Sequence, residues 1–175
     1  MKYEVLDKKY ENFIKKIRAH FRKSINCLYT GRNKLKVLHY LDEDIVVKSF
    51  KTPHFINKIA YTFLRDSKAK RSYDNSLKIL EFVPNPIGYA EFKKYGLIND
   101  SYFLCEKYEY DFTIREPLKQ ENFKNKIIIY QQFALFTYKL HNQGVVHLDY
   151  SPGNILIKEI KPQEYEFKIV DVNRM

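Results

Sequence analysis

The spacing of apolar residues in the first third of the chain predicts one helix followed by several strands. Phe13, Ile17 and Phe21 recur every four residues, which indicates an amphipathic helix over residues 7–23. Its other face is rich in Lys and Arg, and this face either meets solvent or lies against anionic lipid. We favour a helix that docks on the rest of the protein with its basic face in solvent. Residues 25–50 alternate in a way that favours strands separated by short polar turns.

The rest of the chain predicts two helices and further strands. Residues 67–82 indicate a helix with Ser67 as its N-cap, and residues 87–110 indicate a β-hairpin. Residues 121–142 show the clearest helical pattern, which Gly144 would end. The buried stripe of this helix is predicted to contain Ile128, Gln132, Leu135 and Tyr138. Strand-like segments on both sides of a polar loop follow, and the whole order is that of an α+β protein.

Composition narrows the classes of protein and of partner. The chain has 175 residues and a formal net charge of +10, with 15 Tyr and 13 Phe. So many aromatic residues argue against disorder, and the charge favours an anionic partner such as a phosphorylated ligand, an anionic membrane surface or nucleic acid. Cys27 and Cys105 lie too far apart in sequence to suggest a zinc site or a disulfide framework. No segment resembles a signal peptide or a membrane span, so we expect a soluble, cytoplasmic protein.

The candidate chemistry lies in the segment H-L-D-Y-S-P-G-N, residues 147–154, which we call the 147–154 loop. Asp149 is a carboxylate placed to accept a proton from an incoming hydroxyl. Asn154 stands where the chain re-enters a strand and Asp171 where the next strand ends, and both supply the oxygen ligands that Mg²⁺ prefers. His147 lies between apolar residues and is better placed to brace the loop than to react.

A lysine upstream completes the set of residues that phosphoryl transfer needs. Lys48 follows an apolar run, where a cation is costly unless an anion such as a triphosphate meets it. Each residue alone has an ordinary explanation, because an Asp in a loop is usually a turn former and a Lys after a strand is usually on the surface. Their order along the chain is the stronger signal: a strand Lys, a long helix, H-x-D-x-x-x-x-N, and a strand ending in D-x-N.

This order resembles the protein-kinase-like fold. The segment "YKLHNQGVVHLDYSPGNILI" is similar to the long helix and catalytic loop of kinases, and "DVNR" stands where those proteins carry the metal-binding D-F-G. More narrowly, "GRNKLKV", "VVKSFK", "SKAKRSY", "PNPIGYAE" and "VDVNRM" resemble the bacterial lipopolysaccharide kinase family, whose members phosphorylate Kdo or heptose in the inner core. The resemblance covers residues 26–175 and implies two lobes, the first an antiparallel sheet with one helix.

The resemblance implies ATP and Mg²⁺ as cofactors and suggests a role for each matching residue. Lys48 would contact the α and β phosphates of ATP. Asp149 would orient and deprotonate the acceptor hydroxyl, while Asn154 and Asp171 would hold Mg²⁺. Glu106 follows a strand in the segment expected to pass near adenine, where its backbone would bind.

Three departures from the kinase pattern change these expectations. The glycine-rich loop is absent, so the phosphates would be covered by the turn T-G-R-N, with Gly31, Arg32 and Asn33. Ser151 stands where Ser/Thr protein kinases carry a lysine, which resembles the atypical and small-molecule branches. The acid partner of Lys48 is either Asp74 or Glu81, and we favour Asp74.

These expectations define three regions. Residues 1–24 would form the basic helix, residues 25–110 the first lobe, and residues 111–175 a partial second lobe, because kinases continue past the metal-binding Asp into an activation segment and further helices. The expected function is an ATP- and Mg-dependent kinase for a sugar hydroxyl of the lipopolysaccharide inner core. Its acceptor would be a core sugar or a lipid A precursor, met at the surface of the inner membrane.

Other functions share these motifs. A RIO-like atypical protein kinase, a kinase of another small molecule and a nonenzymatic, nucleotide-binding pseudokinase fragment remain alternatives. Nucleic acid is not an expected partner, because the aromatic residues fall in apolar stripes rather than on a basic face.

Overall fold

The structure is a computed structural model, and it describes the following residues: 1–31, 33–50, 61 and 65–175. The chain divides into two units. Unit 1 comprises Met1–Lys78 and Asn85–Lys107, and unit 2 comprises Ile79–Pro84 and Tyr108–Met175. The chain therefore enters unit 2 twice, first through a short segment and then through its C-terminal part.

Unit 1 is built on a six-stranded sheet within the described residues. Its strands are β1 (Lys2–Val5), β2 (Cys27–Thr30), β3 (Lys34–Tyr40), β4 (Glu43–Phe50), β5 (Pro86–Lys94) and β6 (Leu97–Glu106). They pair antiparallel in the order β1-β5-β6-β4-β3-β2. The helices of this unit are α1 (Glu11–Lys15), α2 (Ile17–Lys23) and α3 (Lys68–Lys78).

Each face of this sheet packs against helices, because alternate residues of a strand point to opposite sides. Val47 of β4 packs in one core with residues of α1 and α2. Phe50 of the same strand packs in a second core with Tyr73 of α3. Lys48 alternates with Val47 and therefore projects to the face where Phe50 and α3 lie.

The structure confirms the predicted N-terminal helix and the way it docks. A 3₁₀ turn leads into α1 and α2, which are interrupted at Lys16, where φ is −103° and ψ is 10°. The apolar stripe is buried, with Phe13 at 2% and Ile17 at 0% exposure, so the helix docks on unit 1 as predicted. Whether its basic face meets solvent or lipid stays a prediction. Sequence patterns missed β1, which adds to the edge of the sheet by pairing with β5.

The second predicted helix and the hairpin are also present. Ser67 begins α3 as predicted, since its Oγ accepts a hydrogen bond of 3.1 Å from the backbone N–H of Lys70. The helix ends at Lys78, earlier than predicted, and a 3₁₀ turn follows it. β5 and β6 form the predicted hairpin, whose two turn residues have positive φ: Tyr95 at 53° and Gly96 at 78°.

Unit 2 combines a small sheet with one long helix. Its strands are β7 (Phe112–Thr113), β8 (Ile155–Lys161) and β9 (Glu164–Ile169), which pair antiparallel in that order. Its helices are α4 (Arg115–Lys119) and α5 (Lys126–Asn142). The core of this unit includes Ile79, Phe82, Val83, Ile129, Leu140, Ile155, Ile157, Phe167 and Ile169.

Three predictions about unit 2 are wrong. The long helix begins at Lys126 rather than at residue 121, and its fully buried residues are Ile129 and Leu140. Leu135 and Tyr138, predicted to be buried, are 53% and 62% exposed. The helix is apolar on several sides, so periodicity indicated a helix without indicating which side meets the sheet. The segment before the 147–154 loop, predicted as strand-like, forms no strand.

Candidate active site

His147 braces the 147–154 loop from inside unit 2. Its side chain is only 6% exposed. The backbone N–H of Asp149 donates to Nδ1 at 3.0 Å, so Nδ1 is the acceptor and Nε2 carries the proton. Nε2 lies 3.1 Å from the carbonyl oxygen of Val170 and donates to it. Both ring nitrogens are therefore used to join the start of the loop to the end of β9.

Asp149 is held by its backbone and leaves its carboxylate exposed. Its carbonyl oxygen accepts from the backbone N–H of Ser151 at 2.8 Å and from Nδ2 of Asn154 at 3.0 Å. Among the residues that the structure describes, the carboxylate takes part in no ion pair. The loop thus fixes the position of Asp149 without consuming the oxygens that could accept a proton.

Ser151 and Tyr150 contribute to the shape of the loop. The backbone carbonyl of Ser151 accepts from the N–H of Asn154 at 2.9 Å, which closes the turn. The ring of Tyr150 stacks on Phe133 of α5 with 5.9 Å between centroids, and its hydroxyl lies 2.9 Å from Oγ1 of Thr137. Burial raises the pKa of Tyr150, so the phenol anchors the loop in its protonated form.

Asn154 and Asp171 meet at one corner of the unit 2 sheet. Ile155 pairs with Ile169 across β8 and β9, and one step outward the N–H of Val170 donates to the carbonyl of Asn154 at 2.9 Å. Asp171 is the next residue, and its φ of 65° lies in the left-handed region that Asp tolerates better than most residues. The antiparallel register therefore brings both predicted magnesium ligands to the edge of the 147–154 loop.

The donors at this corner fit the chemistry of Mg²⁺. The Nδ2 of Asn154 is engaged by Asp149, which leaves the amide oxygen as the ligand atom. Asp171 supplies a carboxylate. No group of three His, Cys, Asp or Glu side chains in the described part of the chain is placed to hold a metal. One carboxylate and one amide oxygen still suit Mg²⁺, which usually keeps waters and binds substrate phosphates.

Lys48 lies inside unit 1, on the face of the sheet that α3 covers. Its side chain is half-buried, and its Nζ is 5.3 Å from the centroid of the Phe50 ring. The two acids predicted as its partner both have other contacts. The carboxylate of Asp74 lies 2.5 Å from Nζ of Lys70 on the same helix. Glu81, which belongs to unit 2, accepts a hydrogen bond from Gln143. An ion pair between Lys48 and either acid stays a prediction.

The other predicted nucleotide contacts lie at two ends of the unit 1 sheet. Gly31 and Asn33 form the turn between β2 and β3, with the N–H of Gly31 donating to the carbonyl of Asn33 at 3.1 Å, while Arg32 lies outside the described residues. Glu106 ends β6, and its N–H donates to the carbonyl of Asn85 at 2.9 Å. Their roles toward ATP stay predictions.

Two residues near the site had no role in the sequence-based prediction. Asn173 is 7% exposed and donates from Nδ2 to the carboxylate of Asp171, so it orients that side chain. The D-x-N spacing was the available signal for it. Arg115 places its guanidinium against Gly153 of the 147–154 loop. No sequence pattern connects these two residues, because only the pairing of β7 with β8 brings their segments together.

Comparison with known proteins supports the fold. No protein-family model and no curated protein matches the chain. The structure of WaaP in complex with acyl carrier protein is similar with a TM-score of 0.65 and 12% identity, over 99% of this chain and 71% of that one. The MAP kinase LmaMPK10 from Leishmania major is similar with a TM-score of 0.53 and 17% identity, over 95% of this chain and 51% of that one.

Identities this low establish an architecture and leave the activity open. Both the sheet of unit 1 with its helix α3 and the helix, loop and strands of unit 2 match the elements that the kinase motifs implied. The chain has the protein-kinase-like α+β fold.

Proposed function

We propose that this protein is an ATP- and Mg²⁺-dependent phosphotransferase whose acceptor is a sugar hydroxyl of the lipopolysaccharide inner core, in Kdo or heptose. The observation that carries the proposal is the corner of unit 2 where the Asp149 carboxylate is exposed and Asn154 links two segments. Asn154 donates from Nδ2 to the carbonyl of Asp149 and accepts, at its own carbonyl, from the N–H of Val170, the residue before Asp171. Positioning and charge stabilisation are the main requirements of phosphoryl transfer, and a rigid loop of this kind meets them.

Each residue has a defined task in this reaction. Asp149 orients the acceptor hydroxyl and accepts its proton as the oxygen attacks the γ-phosphorus. Asn154 and Asp171 hold Mg²⁺, which would neutralise charge on the phosphates when bound. Lys48 contacts the α and β phosphates, as a lysine does in other phosphotransferases of this fold.

The choice of acceptor rests on motif resemblance and on the similarity to WaaP. A protein hydroxyl is the alternative, since a MAP kinase shares the fold. A radiolabel transfer screen over lipopolysaccharide core, a protein substrate and aminoglycosides separates these candidates. We expect transfer to the lipopolysaccharide core, and transfer to protein alone would replace this acceptor assignment with a protein kinase activity.

Substitution of the proposed base tests the mechanism. Asp149→Asn keeps the size of the side chain and removes the proton acceptor, so phosphate transfer should fall by about 100- to 10,000-fold. Thermal stabilisation by Mg-ATP should persist in this variant and should weaken in Asp171→Asn, which loses a metal ligand. Turnover at the wild-type rate in Asp149→Asn would contradict the proposed role.

The basic side of the N-terminal helical segment, residues 8–23, supports a location at an anionic membrane surface. Lys8, Lys16, Arg22 and Lys23 are exposed, and within the described residues none of them forms an ion pair. A cation near an anionic leaflet contributes about 1 kcal/mol to binding. In the part of the chain that the structure describes, no helix is long and apolar enough to cross a bilayer. Attachment through these cations would be electrostatic.

Vesicle sedimentation tests this location. The protein should sediment with vesicles containing phosphatidylglycerol and remain in the supernatant with pure phosphatidylcholine, and added salt should release it. Lys16→Glu combined with Lys23→Glu should reduce binding by at least tenfold, since each reversal adds repulsion. Lys119→Glu with Lys124→Glu makes the same change of charge on unit 2. Equal losses in both pairs would show that net charge, rather than this face, is responsible.

A further inference from the structure

Gly153 makes room for a cation on the 147–154 loop. A Cβ atom at this position would lie 2.3 Å from Nη2 of Arg115, which is closer than real contacts allow, and 3.1 Å from its Cζ, which is a tight contact. The guanidinium, at the end of a flexible side chain, would have to shift away from the loop. The φ of Gly153 is not in the left-handed region, so the backbone conformation does not demand glycine there. What glycine provides is space: without a side chain at residue 153, the guanidinium can lie directly against the loop backbone beside Asn154.

The backbone of Arg115 is tied to the same loop. Ile114 is buried at 2% exposure, and its N–H donates to the carbonyl of Ile155 at 3.1 Å. Ile155 is the first residue of β8 and follows Asn154 directly. Arg115 is thus one residue from an anchor point, and its side chain reaches Gly153 from a fixed base rather than from a free loop.

The guanidinium is available for a ligand. Arg115 is exposed, and among the residues described it forms no ion pair. The neighbouring carboxylate of Glu116 is used elsewhere, because its Oε2 accepts from the backbone N–H of Thr113 at 2.8 Å and from Oγ1 of Thr113 at 2.6 Å. In the described part of the chain, the Arg115 guanidinium therefore lies beside the loop without an ion-paired acid.

We propose that Arg115 is a specificity-determining residue that binds an anionic group, a carboxylate or a phosphate, on the acceptor. This inference rests on the proposed function. An acidic acceptor approaching Asp149 and the phosphates of ATP meets like charges, and a guanidinium on the loop offsets that repulsion. The planar fork of Arg matches carboxylate and phosphate oxygens in pairs, which also sets the orientation of the sugar relative to Asp149.

The test compares acceptors that differ in one charged group. The probes are a Kdo-containing lipid A precursor, its carboxyl-reduced form and its dephosphorylated form. For wild-type protein, KM should rise when the recognised group is removed, and the two modified probes show whether it is the carboxylate or the phosphate. Arg115→Gln should raise KM for the intact acceptor by about 10- to 100-fold, with little change for the probe that lacks the recognised group and for ATP.

Three further variants distinguish recognition from structure. Gly153→Ala should raise KM in the same direction but less, since its methyl group displaces the guanidinium without removing it. Arg115→Lys should recover part of the loss, because the charge returns without the fork. Lys119→Gln, on the same helix, should change nothing. Equal effects of Arg115→Gln on intact and neutralised acceptors would overturn the proposal.

Binding measurements keep this inference separate from the proposed function. Isothermal titration with the intact and modified probes, in the absence of turnover, should show weaker binding to Arg115→Gln only when the recognised anion is present. If wild-type protein transfers no phosphate but shows this pattern, the phosphotransferase proposal fails and the anion site stands. If wild-type protein binds all three probes equally, the anion site is wrong whether or not transfer occurs.

Discussion

Two side chains of the 147–154 loop, those of His147 and Tyr150, anchor the loop to the rest of unit 2, whereas the side chain of Asp149 does not. His147 uses both ring nitrogens and Tyr150 uses its ring and hydroxyl, and both side chains pack inside unit 2. Asp149 is bonded through its backbone alone. A carboxylate held in this way suits the proposed role as a base, because no structural hydrogen bond has to break first.

Removing the bracing imidazole should therefore cost stability as well as activity. His147→Ala removes an imidazole that is 6% exposed and that is the partner of both the Val170 carbonyl and the Asp149 N–H. Each hydrogen-bonding group left without a partner costs about 1–3 kcal/mol. We expect the free energy of unfolding in urea to fall by about 2–4 kcal/mol. His141→Ala, at an exposed position of α5, should change it by less than about 0.5 kcal/mol. A small effect at His147 would show that water replaces both hydrogen bonds.

At the scale of elements, the turn between β5 and β6 has a backbone conformation that its sequence does not favour. The β5–β6 turn has two residues with positive φ, of which only the second is glycine. Tyr95 is 92% exposed, and its ring contacts only the Lys94 ammonium among the described residues, at 5.3 Å from the centroid, so its packing offsets little of the cost of a left-handed backbone. This turn is a place where local sequence and local conformation disagree.

Substitutions in this turn should shift stability in opposite directions. Tyr95→Asn places a residue that favours positive φ before Gly96, and it should stabilise the protein by about 0.5–1 kcal/mol. Gly96→Ala should destabilise it by about 1–2 kcal/mol, and because a Cβ there meets nothing within 4 Å, the effect reports conformation alone. Thermal unfolding followed by circular dichroism measures both, and stabilisation by Gly96→Ala would show that the turn adopts another conformation in solution.

At the scale of the whole molecule, the two units are not consecutive in sequence. Ile79, Phe82 and Val83 belong to the core of unit 2, although the chain returns to unit 1 at Asn85. Their exposures are 2%, 4% and 2%. A boundary drawn at one point of the sequence would leave this core without three of its buried side chains.

A fragment that contains only residues 108–175 should therefore fail to fold cooperatively. Each missing apolar side chain removes about 1.5–3 kcal/mol of burial, and the sum approaches the whole stability of a small domain. We expect no sigmoidal thermal transition for this fragment. Phe82→Ala in the full chain should lower the free energy of unfolding by about 3–5 kcal/mol, while Leu80→Ala, at a 46% exposed position, should have little effect. Cooperative unfolding of the fragment would show that residues 79–84 are dispensable.

Local patterns alone were enough for the fold class, the hairpin and the Ser67 cap. They also suggested the residues proposed for catalysis, whose roles stay predictions. Caps, turns and motifs depend on neighbours in sequence, so one chain carries their signal. The buried side of α5, the added strand β1, the assignment of residues 79–84 to unit 2 and the position of Arg115 against Gly153 came only from the folded chain. Each of these depends on contacts between segments that are distant in sequence. The local sequence of a helix that is apolar on several sides does not show which side is buried. The local sequence around a glycine does not show which remote side chain packs against it.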